Sequence, residues 1–266
     1  MSTTSKRCNS RPDWRPGRRH RQESGGSTGP SPVADGRLVR MHLQSPFASG
    51  READVYALDD GRVLRRYRAG EDVSAEAGVM AHVGEHGYPV VRVFAATGCD
   101  LVMERLAGPT MLAALASAQV DVHDAARVLA DLHTKLHAIP GVAGNAAERI
   151  VHLDLHPENV VLTPRGPVVI DWHNARDGVP DLDTAVSALI IAEVAVEPVH
   201  PFSNLARQLL VAFLDHVREE PVGELDAAVA LRQANPRLLP AEMARLTEAA
   251  RLVAPAIRHN PRGPTP

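Results

Sequence analysis

The spacing of apolar positions changes character midway along the chain. From Met41 they fall in short runs, Ala53–Leu58, Arg62–Tyr67, Val90–Ala95 and Leu101–Glu104, whose length and β-branched content predict strands. Between the first two, Asp59-Asp60-Gly61 predicts a tight hairpin, because Asp-Gly accepts a positive φ. One segment of this block, about 71–85, has helical spacing instead. There Val79, Met80 and Val83 form an apolar stripe that Gly84 and Gly87 bring to an end. Beyond Gly108-Pro109 the period is helical almost throughout. Thr110 is placed to cap a helix over 111–118, and Asp121 one that runs to about His137. Ala126, Val128, Leu129, Leu132 and Leu136 mark the inner face of the second. A loop-and-strand block follows over 150–171, then helices near 181–197, 203–219, 224–233 and 239–254. Strands first and helices after predict an α+β fold of two lobes around a cleft. The β-rich N-lobe with its hinge would span 41–107 and the helical C-lobe 108–258.

Composition sets limits on partners. The 266 residues are 44% hydrophobic and 23% charged with net charge −3, which gives no reason to expect a nucleic-acid or membrane partner for the folded part. The longest apolar run, Ala185–Val196, is broken by Ser187 and Glu193 and falls short of the roughly 18 residues of a membrane span, so it reads as a buried helix. The two cysteines, Cys8 and Cys99, do not make a disulfide framework, and a reducing cytoplasm fits best. Residues 1–40 stand apart, with Lys6 and eight arginines among Gly, Ser and Pro and almost no aliphatics. They predict a flexible basic leader, or a start site that truly lies at Met41. A short flexible tail is expected at 259–266.

Chemistry concentrates in V-H-L-D-L-H-P-E-N-V-V-L, residues 151–162, and V-V-I-D-W, residues 168–172. The spacing His152-x-Asp154-x-x-x-x-Asn159 is that of the protein-kinase catalytic loop. Asp171 ends the apolar strand Val168-Val169-Ile170, which would hold its carboxylate beside that loop. Phosphoryl transfer is mostly positioning and charge stabilisation. A carboxylate facing the attacking hydroxyl suits Asp154, and the hard oxygens that Mg²⁺ requires suit Asn159 with Asp171.

These residues carry a family resemblance. Residues 41–258 resemble the aminoglycoside phosphotransferase and choline kinase-like phosphotransferases, which have a protein-kinase-like fold. The matching pieces are 49–65 (S-G-R-E-A-D-V-Y-A-L-D-D-G-R-V-L-R), 85–93, 101–111, 152–160 (H-L-D-L-H-P-E-N-V) and 169–176 (V-I-D-W-H-N-A-R). The resemblance implies ATP, or another nucleoside triphosphate, as donor and a small-molecule hydroxyl as acceptor. It implies Asp154 as catalytic base and Asn159 and Asp171 as Mg²⁺ ligands. Ser49 and Gly50 would cover the phosphates, and Met103, Glu104 and Leu106 would form the hinge beside the base. Strand alternation puts Val63 against the adenine and Arg65 in the cleft, with Arg66 outside, and Glu76 on the inward face of its helix is the natural partner of Arg65. Two features depart from kinases: a single glycine in the phosphate turn, and arginine where they place a lysine. The chain holds only Lys6 and Lys135, so a drift towards arginine accounts for the second.

Competing readings stay open at this level. His152, Asp154 and His156 at period two offer a zinc set, but that leaves Asn159 and Asp171 unexplained. His152 is expected to pack under the loop, His133 and His137 to be ordinary core or surface histidines, and Asp181 and Asp183 to cap a helix and anchor the loop. A nucleotide-binding module without turnover is the rival function, with Arg65 as its support. The acceptor does not follow: residues 197–262 mix signs, against a polycation, and only Phe202 and Phe213 remain after Trp172 to build a choline cage.

Overall fold

Alternation along Arg62–Tyr67 decides how the N-lobe is built. Val63 and Tyr67 are buried, and Arg65 lies between them on the same face, while Arg66 points the other way and forks onto Asp100 with two contacts of 2.6 Å. The computed structural model describes residues 33–34, 37–38, 45–46, 48–58, 61–236 and 238–258. Asp59 and Asp60 of the expected hairpin, Cys8, most of the expected leader and all of 259–266 lie outside the described residues. Gly61, which closes that turn, has φ 72°.

Val33–Ala34 (β1) and Arg37–Leu38 (β2) pair only with each other. The N-lobe sheet is antiparallel in the order β3-β4-β5-β7-β6, from Ala48–Ser49 (β3), Ala53–Ala57 (β4), Arg62–Tyr67 (β5), Val93–Thr97 (β6) and Asp100–Glu104 (β7). The helix Ser74–Glu85 (α1) lies between β5 and β6 in the chain and buries Glu76, Met80 and Val83. One strand differs from expectation. Val90 is not in β6 but bridges Val169 in parallel, and Val169 N–H donates to the Pro89 carbonyl at 2.8 Å. Proline has no N–H to give a ladder. The residues around it therefore stitch the N-lobe to the loop block below, where Tyr88 stands edge-on to Trp172 at 5.6 Å.

The chain crosses to the C-lobe at Gly108. Its φ is 140°, and a Cβ there would lie 2.1 Å from the Leu162 carbonyl oxygen, so only glycine lets the hinge pass this close to the strand beneath. Thr110 caps Met111–Ala116 (α2) through its hydroxyl, and the Asp121 carboxylate caps Val122–Leu136 (α3) by accepting from His123 and Asp124 N–H. Arg149–Val151 (β8) pairs with Arg176–Gly178 (β11), and Val160–Thr163 (β9) with Gly166–Val169 (β10). Pro180–Ala195 (α4) is apolar on almost every side and is the central buried helix. Around it pack Ser203–His216 (α5), Leu225–Gln233 (α6) and Pro240–Arg258 (α7). Among the described residues no helix is long and apolar enough to cross a membrane. The order of a sheet lobe followed by a helical lobe is the α+β, protein-kinase-like arrangement that the sequence predicts.

Candidate active site

A cavity of about 760 Å³ opens between the lobes. Its upper wall is β4, β5 and α1, its back the hinge, and its floor the loop between β8 and β9. That loop is pinned from below by Asp183, the fourth residue of α4. One carboxylate oxygen of Asp183 accepts from Leu153 N–H at 2.6 Å, and the other accepts from His152 N–H at 3.1 Å and from His137 Nε2 at 2.9 Å. Leu153 is held at φ 60°, a conformation a branched side chain adopts only under such constraint. The expected loop-anchoring role of Asp183 is what the geometry shows. Neither Asp183 nor Asp181 is an N-cap, however. Val179 occupies that position with no side-chain bond, and Asp181 instead accepts from Glu220 N–H.

His152 is fully buried, edge-on to Trp172 at 4.9 Å, with Nε2 against the Ile170 carbonyl at 3.1 Å. Burial lowers its pKa, so the ring is neutral and Nε2–H donates. It packs under the loop, as expected. From there the chain turns through the 3-10 segment Pro157–Asn159 into β9, and Ile170 N–H donates to the Asn159 carbonyl at 3.0 Å. That bond sets Asn159 beside the end of the β10 strand, where Asp171 follows at φ 65°.

Asp154, Asn159 and Asp171 all line the cavity. Asn159 Nδ2 donates to the Asp154 carbonyl at 2.8 Å and approaches its carboxylate at 3.2 Å and His156 Nε2 at 3.2 Å. Burial, with Asp171 adding to it, raises the Asp154 carboxyl to about 6, against the pull of His152 and Arg232. Partial desolvation pushes the Asp171 carboxyl up, yet the Arg65 guanidinium 2.6 Å away holds it below its ordinary value.

Arg65 spans two carboxylates. One terminal nitrogen lies 2.6 Å from Asp171 and the other 3.2 Å from Glu76. Its plane also sits over the Tyr67 ring at 4.8 Å, and the Tyr67 hydroxyl donates to Glu76 at 2.7 Å. Burial raises the Glu76 carboxyl despite both partners. Of the other sequence-predicted residues, Gly50, Val63, Met103, Glu104 and Leu106 line the cavity. The Glu104 side chain is bound to Arg165 at 2.7 Å. Ser49 is not among the lining residues, and its hydroxyl donates to Asp54 at 2.8 Å instead.

Some groups at the site were not picked out from the sequence. Tyr67 follows Arg65 by two on the same strand, so period two was enough to find it. Arg51 reaches across the cleft to Glu242 on α7 at 2.6 Å, and His173 stands 3.6 Å from Glu52. Arg232 on α6 forks onto Glu193 on α4. These pairs join residues far apart in the chain, and no local pattern signals them.

A search of the curated proteins finds no match. Solved structures share the fold. A candidate aminoglycoside phosphotransferase from Ralstonia eutropha JMP134 is 12% identical with TM-score 0.53, over 84% of this chain and 94% of that one. The gentamicin complex of APH(2")-IIa is 12% identical with TM-score 0.50, over 79% and 92%. A thermostable mutant of APH(4)-Ia with ADP and hygromycin B is 14% identical with TM-score 0.50, over 80% and 93%. Sequence makes the tie closer than fold. The profile of the phosphotransferase enzyme family, APH, matches residues 44–149 and 142–210, a span that takes in the hinge, the catalytic loop and Asp171, and the chain belongs to that family.

Proposed function

We propose that the chain transfers the γ-phosphoryl group of ATP to a hydroxyl of a small molecule, with magnesium. The observation that carries this reading is the convergence of Asp154, Asn159 and Asp171 on one end of the cleft, opposite Arg65. The donor set fits a magnesium ion. Asn159 has its amide nitrogen committed to Asp154, which leaves the amide oxygen as its hard ligand atom, and Asp171 supplies the anionic one. Magnesium, when bound there, supplies positive charge to the phosphate oxygens.

The chain's own groups do the rest. Val63 and the hinge Met103–Leu106 enclose the base. Arg65, fixed in place by Glu76, puts a cation on the phosphates as they enter. Asp154, with its carboxyl near 6, is largely ionised at neutral pH and still basic enough to take the proton of an attacking hydroxyl. The Asn159 contacts fix where that carboxylate stands. A cytoplasmic location goes with this reading, since ATP is abundant there.

A second reading rests on one contact. Arg65 already bonds Asp171 directly at 2.6 Å, an arrangement that would also suit a module that binds nucleotide without turnover. Single-turnover transfer from radiolabelled Mg-ATP, or slow hydrolysis without an acceptor, separates the two. The proposal expects magnesium-dependent release of ADP. Tight nucleotide binding with neither transfer nor hydrolysis across a broad acceptor panel would favour the non-catalytic module.

A further inference from the structure

The cavity continues past Asp154 into the C-lobe, between the C-terminal ends of α4 and α6 and the N-terminal parts of α5 and α7. Any molecule that offers a hydroxyl to Asp154 must rest in this part. Its charges are matched in pairs. Arg232 forks onto Glu193 at 2.9 and 3.1 Å, with both side chains at least 85% buried. Arg245 meets Glu197 at 3.1 Å, and Arg51 closes on Glu242 at 2.6 Å. Three carboxylates thus face three guanidinium groups. Beyond these pairs and the nucleotide end, the cavity is also lined by Asp154, beside the reacting atoms, by Glu158, and by Glu52, which stands 3.6 Å from His173. Between the pairs the wall is mostly apolar, with Ile190 and Val194 from α4, Phe202 before α5, and Leu205 and Leu209 within it, beside the polar side chains of His200 and Asn235.

We infer that this subsite takes a hydroxylated acceptor of little or no charge with an apolar body, not a polycation; the inference rests on the phosphotransfer reading above. An ammonium entering among these pairs finds their three carboxylates already neutralised, and would have to displace an arginine or stay in water. An apolar ring or chain against Leu205 and Leu209 gains the usual burial of hydrocarbon. The paired ions remain able to hydrogen-bond hydroxyl groups of the acceptor. In the transfer, the acceptor oxygen forms a bond to the γ-phosphorus as the bond to the β,γ-bridging oxygen breaks. The electron pair leaves with ADP, and the hydroxyl proton passes to Asp154 and then to solvent.

Three probes test this with the full chain and Mg-ATP: n-octyl β-D-glucoside below its micellar threshold, glucose, and kanamycin. Nucleotide binding is measured first by titration of a fluorescent ATP analogue. The expected result is phosphorylated octyl glucoside by mass spectrometry, with kcat/KM at least about tenfold above that for glucose, because the tail is buried, and above that for kanamycin. The partly exposed pair Arg245–Glu197 provides a charge switch. Arg245→Gln frees the Glu197 carboxylate and should strengthen kanamycin binding about threefold, the scale of one such contact, while the melting temperature confirms the fold. Transfer to kanamycin as efficient as to octyl glucoside overturns the inference, as does transfer to neither by protein that binds nucleotide. Unchanged kanamycin binding in folded Arg245→Gln also counts against it. Protein that binds no nucleotide with magnesium would bring down the phosphotransfer reading itself, and this inference with it.

Discussion

In the proposed function Arg65 takes a cationic role with an unusual side chain. A guanidinium is planar and can reach Asp171 and Glu76 at once, as it does here, where an ammonium is a compact point charge. Bonds to charged groups contribute about 1.5–3 kcal/mol each. Arg65→Met should therefore weaken nucleotide use at least about tenfold, read as the Kd and KM for Mg-ATP, and Arg65→Lys should retain activity. An Arg65→Met protein indistinguishable from the parent would show that this side chain does not reach the phosphates. Asp154 is the other decisive residue. Asp154→Ala should leave nucleotide affinity nearly intact and lower transfer about 10²–10⁴-fold, the usual contribution of a positioned base. Loss of nucleotide binding in a folded Asp154→Ala protein would mean that the role is misassigned. Both residues were legible in the sequence, since each lies on a strand or in a motif of fixed spacing. The bond from Arg65 to Asp171 was not, because 106 positions separate them.

At the scale of elements, one junction holds the catalytic loop to the helical lobe. His133 on α3 and His137, the residue that caps its C-terminus, face Asp183 on α4, with Glu219 on the far nitrogen of His137 at 2.8 Å. Burial lowers His137, but the hydrogen bonds it donates to Asp183 and Glu219 outweigh that and raise the ring to about 9, whereas burial holds His133 near 4. The signs run in opposite directions. His137 contributes stability that is fully present below about pH 6.5 and lost as pH rises towards 9; His133, kept neutral when folded, costs stability as pH falls from about 6.5 towards 4. The contribution of these two rings together is greatest near pH 6.5. In His137→Gln the alkaline decline, on the order of 2–3 kcal/mol in the parent, should flatten, as urea unfolding at several pH values would reveal. A decline that persists undiminished would place its origin elsewhere. Asp183→Ala should be harsher, about 3–5 kcal/mol by chemical unfolding, because it leaves a buried His137 cation with one partner fewer and two loop N–H groups with none. The helical spacing of α3 placed both histidines on one element. That they meet a carboxylate 46 positions from His137 is a property of packing.

For the whole molecule, composition motivates a separate test. Residues 1–40 are rich in charge and poor in aliphatics, so the expectation to test is that a protein starting at Met41 melts and turns over like the full chain. A fall of several degrees in melting temperature would show that the stretch docks on the domain. The cleft tells a different story about what a sequence holds. Periodicity gave four of the five strands of the N-lobe sheet, missing the two-residue β3, and it gave the five helices from α3 onward and the caps on Thr110 and Asp121, because these leave a local pattern. The one misplaced strand, at Val90, lost its ladder to Val169, a partner 79 positions on that no local pattern announces. Fixed spacing gave Asp154, Asn159 and Asp171, since chemistry at one loop and one strand end leaves a local signature. The clasp from Arg51 to Glu242 and the arginine–carboxylate pairs of the acceptor end left none. Each joins side chains from elements that are distant in sequence, and a long charged side chain satisfies itself with whichever partner the packed helices bring near. The sequence by itself pointed to a sheet lobe, a helical lobe and the candidate groups Asp154, Asn159 and Asp171; only the tertiary structure decided which charges neutralise one another beside them, because that depends on which distant elements pack together.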